Sequence, residues 1–322
     1  MNFKTVYKAI LLFSIVAAVI AGIFMTVSLL HSSDTQGIKI YSSDNVEYYK
    51  LVSWIFGICT VGYIVAISAL GKRVDKRVDF SAKNSKLAYG IMAISTAALT
   101  LFCLGREFLT GESYDHGNMY VIFSKEQLLS ISNSPEETKV SYLYLLFLAA
   151  LIGAFAFFVY AFATKCPSGE ADEKFGMFSM LPSLALVVKI IYDFLLQSGN
   201  GYGALYNFHL LGMGFALLFS VYESRFYFKK AAPALYIFFG LLAGMASFIF
   251  SIPALVLFFA GKAGANWHPA FCIADIFIIA YIYIRLFSLK VHQFERQKKE
   301  TEITTAFDSD EEILPTLKDT AE

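Results

Sequence analysis

Lys189, Asp193 and Gln197 recur every four residues; Tyr202, Tyr206, His209 and Met213 follow at steps of three and four, and so do His268, Cys272 and Asp275. Such steps place side chains on one face of a helix. The three stripes carry an ammonium, two carboxylates, imidazoles, a thiol and phenols. Facing one another, these groups can neutralise charge and hold a small polar or charged solute. Each stripe lies within or at the edge of a long apolar run, where a charge costs about 2.5 to 3.5 kcal/mol and therefore needs a partner or a wet cavity.

Counted from the outer end of each run at a rise of about 1.5 Å per residue, Lys189, His209 and Asp275 all lie about 10 Å deep. The shared level predicts convergence. Lys189 would be balanced by Asp193 or Asp275, with His209 and Tyr206 supplying hydrogen bonds around an outward-facing pocket. A blander account pairs Lys189 with Asp193 on their own helix, snorkelling toward the interface and only fixing helix rotation. Asp275 argues against it, since Ile273, Ala274, Ile276 and Phe277 surround it in sequence and its partner must come from another helix.

No cofactor or metal is expected. His209, His268, Cys272 and Asp275 are acceptable ligand types and form the alternative metal set, but no second pair of them recurs at ligand spacing. The plainer assignment is a capping His268 before Pro269, a packed Cys272 and a paired Asp275. Glu223 and Arg225 read as a local ion pair at a membrane interface. Pro182 and Pro253 predict kinks, and Gly240 with Gly244 predicts a close helix contact.

The elements that must position these residues are about eight apolar stretches near the roughly 20 residues a spanning helix needs. They run over residues 9–30, 51–70, 87–104, 141–164, 175–196, 204–222, 234–259 and 270–289. A mean hydropathy of +0.57 agrees. The expected fold is an all-α polytopic membrane bundle over residues 1–290, with residues 105–140 as an external loop that could cap the mouth and 291–322 as a solvated cytoplasmic tail. The first four spans read as scaffold, and the last four as the place for a site.

Sidedness follows from Lys and Arg, which accumulate in cytoplasmic loops. Lys4 and Lys8, the run from Lys72 to Lys86, Lys165 with Lys174, Arg225 with Lys229 and Lys230, and Lys290 to Lys299 fall on one side, so both termini are expected in the cytoplasm. The first span reads as an uncleaved anchor because it is longer than a signal-peptide core. The 26 basic and 26 acidic residues are thus sided rather than mixed. Anionic lipid suffices to explain the basic loops, and nucleic acid is not implied. None of the four cysteines suggests an external disulfide framework, and no Asn-x-Ser/Thr acceptor occurs, which fits a bacterial cytoplasmic membrane.

Nucleotide, zinc-protease, serine-hydrolase and kinase motifs are absent from the sequence. The chain therefore reads as a protein that binds or transports a small polar solute. One alternative is a non-transporting sensor or assembly subunit that meets a membrane or cytosolic partner through its inner loops and tail. An intramembrane enzyme using His209 is the weaker alternative.

Overall fold

The computed structural model describes residues 3–32, 43–71, 74–110, 135–164, 173–197, 204–228, 230–260 and 269–293. Within lipid each backbone polar group must be satisfied inside the protein, so apolar runs of this length fold as helices. They are α1 (Phe3–Ser32), α2 (Ser43–Gly71), α3 (Ala82–Thr110) and α4 (Pro135–Ala163), then α5 (Glu173–Phe178), α6 (Leu181–Gln197), α7 (Ala204–Tyr227), α8 (Pro233–Phe259) and α9 (Pro269–Ser288). One short antiparallel ribbon interrupts the helical plan, pairing β1 (Val74–Phe80) with β2 (Leu289–Gln293).

Among the described residues, seven stretches are long and apolar enough to cross a membrane: those within α1, α2, α3, α4, α8 and α9, and residues 174–191 spanning α5 and α6. Their outward faces carry Trp54, Ile94 and Leu101 at 67 to 70 % exposure, as lipid-facing positions should. The expected sixth span, α7, has 24 residues but is more polar, with Asn207, His209, Glu223 and Arg225 along it. The ribbon decides whether it crosses. β1 follows α2 and β2 follows α9, so the ends of α2 and α9 share one side and an even number of crossings separates them. Helix α7 supplies the sixth. The Tyr7 hydroxyl donates to the Leu286 carbonyl at 2.8 Å, which brings the start of α1 to that same side.

Helix α8 is the hub. Pro233 occupies its first turn, where a missing N–H costs nothing. Small residues then let neighbours approach. A Cβ on Gly240 would lie 2.9 Å from the Phe219 ring of α7, and one on Gly244 only 2.8 Å from Tyr283 of α9. The reciprocal contact is tighter still, because a Cβ on Gly212 of α7 would lie 2.5 Å from the Ser247 hydroxyl of α8 and 2.9 Å from its backbone nitrogen. The expected Gly240–Gly244 contact is thus present, and α7 adds a third glycine to it.

Packing closes a ring in which α7 meets α8, α8 meets α9, α9 meets α3, α3 meets α4, α4 meets α6 and α6 meets α7. Helices α1 and α2 pack on α8 from outside the ring. Helices α3 and α4, expected as scaffold, thus belong to the ring, whereas α1 and α2 do not.

Two prolines act differently. Pro253 lies inside α8. Pro182 instead stands in the first turn of α6, just after the chain breaks at Ser179 and Met180, so the expected fifth span is two helices rather than one kinked helix. Residues 111–134, the middle of the loop considered as a cap, lie outside the described residues. Residues 291–293, expected to open the tail, instead complete β2, and positions beyond 293 lie outside the described residues.

Candidate functional site

Helix α6 presents Lys189 and Asp193 one turn apart, and the ammonium lies 2.6 Å from Asp193 Oδ2. The same oxygen lies 2.9 Å from Nε2 of His209 on α7. The other ring nitrogen, Nδ1, faces Oδ2 of Asp275 on α9 at 3.5 Å. Four side chains from three helices thus form one chain, Lys189–Asp193–His209–Asp275, and all four are buried.

Aromatic rings fix their positions. The His209 imidazole lies 4.3 Å from the Phe250 ring of α8, and the Lys189 ammonium sits 5.1 Å from the centre of Phe271 on α9. Tyr206 is one turn from His209, with ring centres 6.0 Å apart. The convergence expected from common depth is therefore present. Its pairing is partly the bland one, because Lys189 takes Asp193 on its own helix. Asp275 finds His209 rather than Lys189.

Both ring nitrogens of His209 face carboxylates. An ionised carboxylate only accepts hydrogen bonds, and a neutral imidazole has a single N–H to give. A fully satisfied bridge therefore contains one additional proton, on the imidazole or on one carboxyl group. With that proton on His209, two cations balance two anions. Without it the cluster carries one net negative charge.

Asp275 Oδ1 is buried and has no hydrogen-bond partner. Asp275 lines an intrabundle cavity of about 90 Å³. At about 30 Å³ per water, that volume holds about three waters. Lys189 also lines it, whereas Asp193, His209 and Tyr206 stand behind the wall. Phe147, Leu151, Phe157, Phe158, Phe219 and Ile278 make the sides largely apolar, and Ser95, Thr96, Ser179 and Ser220 interrupt them with hydroxyl groups. The break between α5 and α6 contributes to the lining through Ser179 and Pro182. Irregular backbone at this depth is tolerated where it borders a cavity.

The opposite end of the cavity reaches a second charged cluster through Glu223, Tyr227 and Tyr281. Arg285 of α9 is wholly buried and donates from Nε to Glu223 Oε1 at 2.7 Å, with Nη2 in ion-pair contact with the same oxygen at 2.7 Å. Its Nη1 donates to Ser85 of α3 at 2.6 Å, and Tyr281 donates to Glu223 Oε2 at 2.8 Å. The guanidinium lies 4.0 Å from the centre of the Phe80 ring, which β1 carries over it. Glu223 therefore pairs with Arg285 and not, as expected, with Arg225, which is exposed beside the Tyr222 ring.

Asp275 and Arg285 are ten residues apart on α9, about 15 Å along its axis. The cavity thus joins two charged ends. The inner end escaped sequence reasoning although a signal was present. Ser85 and Tyr89, Glu223 and Tyr227, and Tyr281 and Arg285 each repeat at i, i+4, the same spacing that revealed the outer end.

Among the described residues no three His, Cys, Asp or Glu side chains form a metal-holding group. His268, needed for the alternative metal set with His209, Cys272 and Asp275, lies outside them. Cys272 is buried one turn from Asp275.

The chain matches no model among the protein families, no curated protein and no solved structure.

Proposed function

We propose that this membrane protein binds a small solute in the ring cavity and carries it across the bilayer. One observation carries the reading: Asp275, which lines the cavity, turns one oxygen toward His209 and leaves the other buried without a hydrogen-bond partner. A buried acceptor of this kind is costly unless a donor meets it. The solute that suits the site has a hydrogen-bond-donating end for Asp275 and a short apolar body for the phenylalanine-rich wall. The broken α5–α6 segment supports passage, since two short helices can reorient about their junction more readily than one continuous span.

The cation-rich end, with exposed Lys8, Lys83, Lys86, Lys174, Arg225 and Lys230, faces the cytoplasm in this reading. Both termini then lie inside a cell membrane, a bacterial cytoplasmic membrane being the assignment the sequence favours. The Asp275 end opens outward.

Accessibility tests the reading directly. In a background lacking the four native cysteines, Ser220→Cys places a thiol on the cavity wall. A small cationic methanethiosulfonate should modify it in sealed vesicles. Donor solutes that fit should slow the reaction, and reconstituted protein should pass them between compartments. A thiol that stays unmodified from both sides, while a cysteine at exposed Lys83 reacts, would remove the solute pathway. Protection without flux would instead favour a ligand sensor.

A further inference from the structure

The two carboxylates on His209 have a consequence for what the cavity accepts. The outer cluster has one permanent cation, Lys189, and two acids, Asp193 and Asp275, so it has room for one more positive charge. That charge can sit on His209 as a proton. It can also sit in the cavity on Asp275, whose buried, unpartnered Oδ1 meets it when the carboxylate turns toward the cavity. Both positions belong to the same carboxylate, and filling both leaves the cluster net positive in surroundings of low dielectric, where uncompensated charge is expensive.

We propose that a small organic monocation of the primary ammonium type binds at Asp275 in exchange for the proton held between His209 and its carboxylates, which makes the cavity a proton-exchanging cation site. This rests on the cavity being the solute site. The exchange balances: R–NH3+ enters, the imidazolium gives its proton to water, and the charge of the cluster is unchanged. Neutral His209 keeps one N–H, which it donates to Asp193 Oδ2 at 2.9 Å. Asp275, released from the other ring nitrogen, turns both oxygens to the ammonium. Lys189 gives its hydrogen bond to Asp193 at 2.6 Å, with Asp275 within its electrostatic reach.

The remaining groups near the bridge are unsuited to the exchange. Asp193, which also holds Lys189, faces His209 from α6 and Asp275 faces it from α9, while α8 sets the Phe250 ring against it. Tyr206 is on its own helix, the Cys103 thiol lies within electrostatic reach of Lys189, and the Cys272 thiol lies within reach of Asp275 and Lys189. The Glu223–Arg285 cluster at the far end of the cavity is already balanced. The apolar walls and the volume of about 90 Å³ suit a chain of a few carbons.

Titration calorimetry on the purified full chain in detergent tests the exchange, with n-propylammonium as the probe and n-propanol as its neutral isostere. Repeating it in buffers of different ionisation enthalpy counts protons. The expected result is about one proton released per ammonium bound and an affinity that rises about tenfold per pH unit where His209 is protonated in the empty site. n-Propanol should bind weakly and release none. His209→Gln should bind the ammonium with no proton release and no pH dependence, and Asp275→Asn should lose the ammonium preference. If either variant fails to fold, the wild-type proton count and pH slope still decide. Ammonium binding without proton release overturns the proposal, and so does equal binding of both probes or no binding of n-propylammonium. In each of these cases labelling of Ser220→Cys reports separately whether the cavity remains a solute site.

Discussion

Removing one member of the Glu223–Arg285 pair strands a buried charge without its partner. Arg285 is wholly buried and Glu223 is 5 % exposed, and between them they also engage Ser85, Tyr281 and Tyr227. Arg285→Met should therefore cost about 3 to 5 kcal/mol in unfolding free energy. The Arg285→Met, Glu223→Gln double variant should cost less than the two single losses added together. Reversible unfolding in detergent measures both, and strict additivity would deny the contact its energetic role. The outer cluster was readable in the sequence because Lys189, Asp193 and Asp275 are charges with no reason to sit at their depth. The inner cluster was hidden by position: Arg285 and Glu223 occur near helix ends, where cations and acids are ordinary interfacial anchors. Only the 62-residue separation between them, closed in space by α7 against α9, turns two such anchors into a buried pair.

Helix packing around α8 depends on hydrogen atoms standing where other helices would have side chains. Gly212 meets the Ser247 backbone, which cannot yield as a flexible side chain could. Gly212→Val should push α7 from α8 and cost about 1 to 3 kcal/mol, the usual range for overpacking. Gly57 and Gly62 of α2 have nothing near a Cβ position, so alanine there should be neutral or stabilise the helix by up to about 1 kcal/mol. Thermal unfolding of the three variants separates these cases, and equal effects would show that close approach is not what Gly212 supplies. Helices α8 and α9 were legible as elements from length and apolarity alone. The division of the fifth span was not. A proline in an apolar run signals a disturbance, and only tertiary contacts decide between a kink and a break; here the Ser224 hydroxyl donates to the Ser179 carbonyl at 3.1 Å and satisfies the interrupted backbone.

The described residues form a ring of six helices, with the short α5 leading into α6 and with α1 and α2 resting on its hub, and its sidedness links the two charged clusters to the two faces of the membrane. Alternating cation content suggested an even number of crossings, and the β1–β2 ribbon requires the same parity by an independent route, as pairing partners cannot lie on opposite sides of a bilayer. The ring itself was not legible, because sequence order says nothing of α3 meeting α9 or α4 meeting α6. Single-cysteine labelling of intact cells, in the cysteine-free background, tests the assembled topology. Lys83→Cys and Lys230→Cys should resist an impermeant maleimide until the membrane is opened, while Lys50→Cys, near the start of α2 at the other face, should react at once. If all three reacted before permeabilisation, Lys83 and Lys50 could not lie on opposite faces, and the even crossing count would fail. If the pattern were reversed, the parity would survive but Asp275 would open toward the cytoplasm, and a proton released there on ammonium binding would mark an inward rather than an outward loading step.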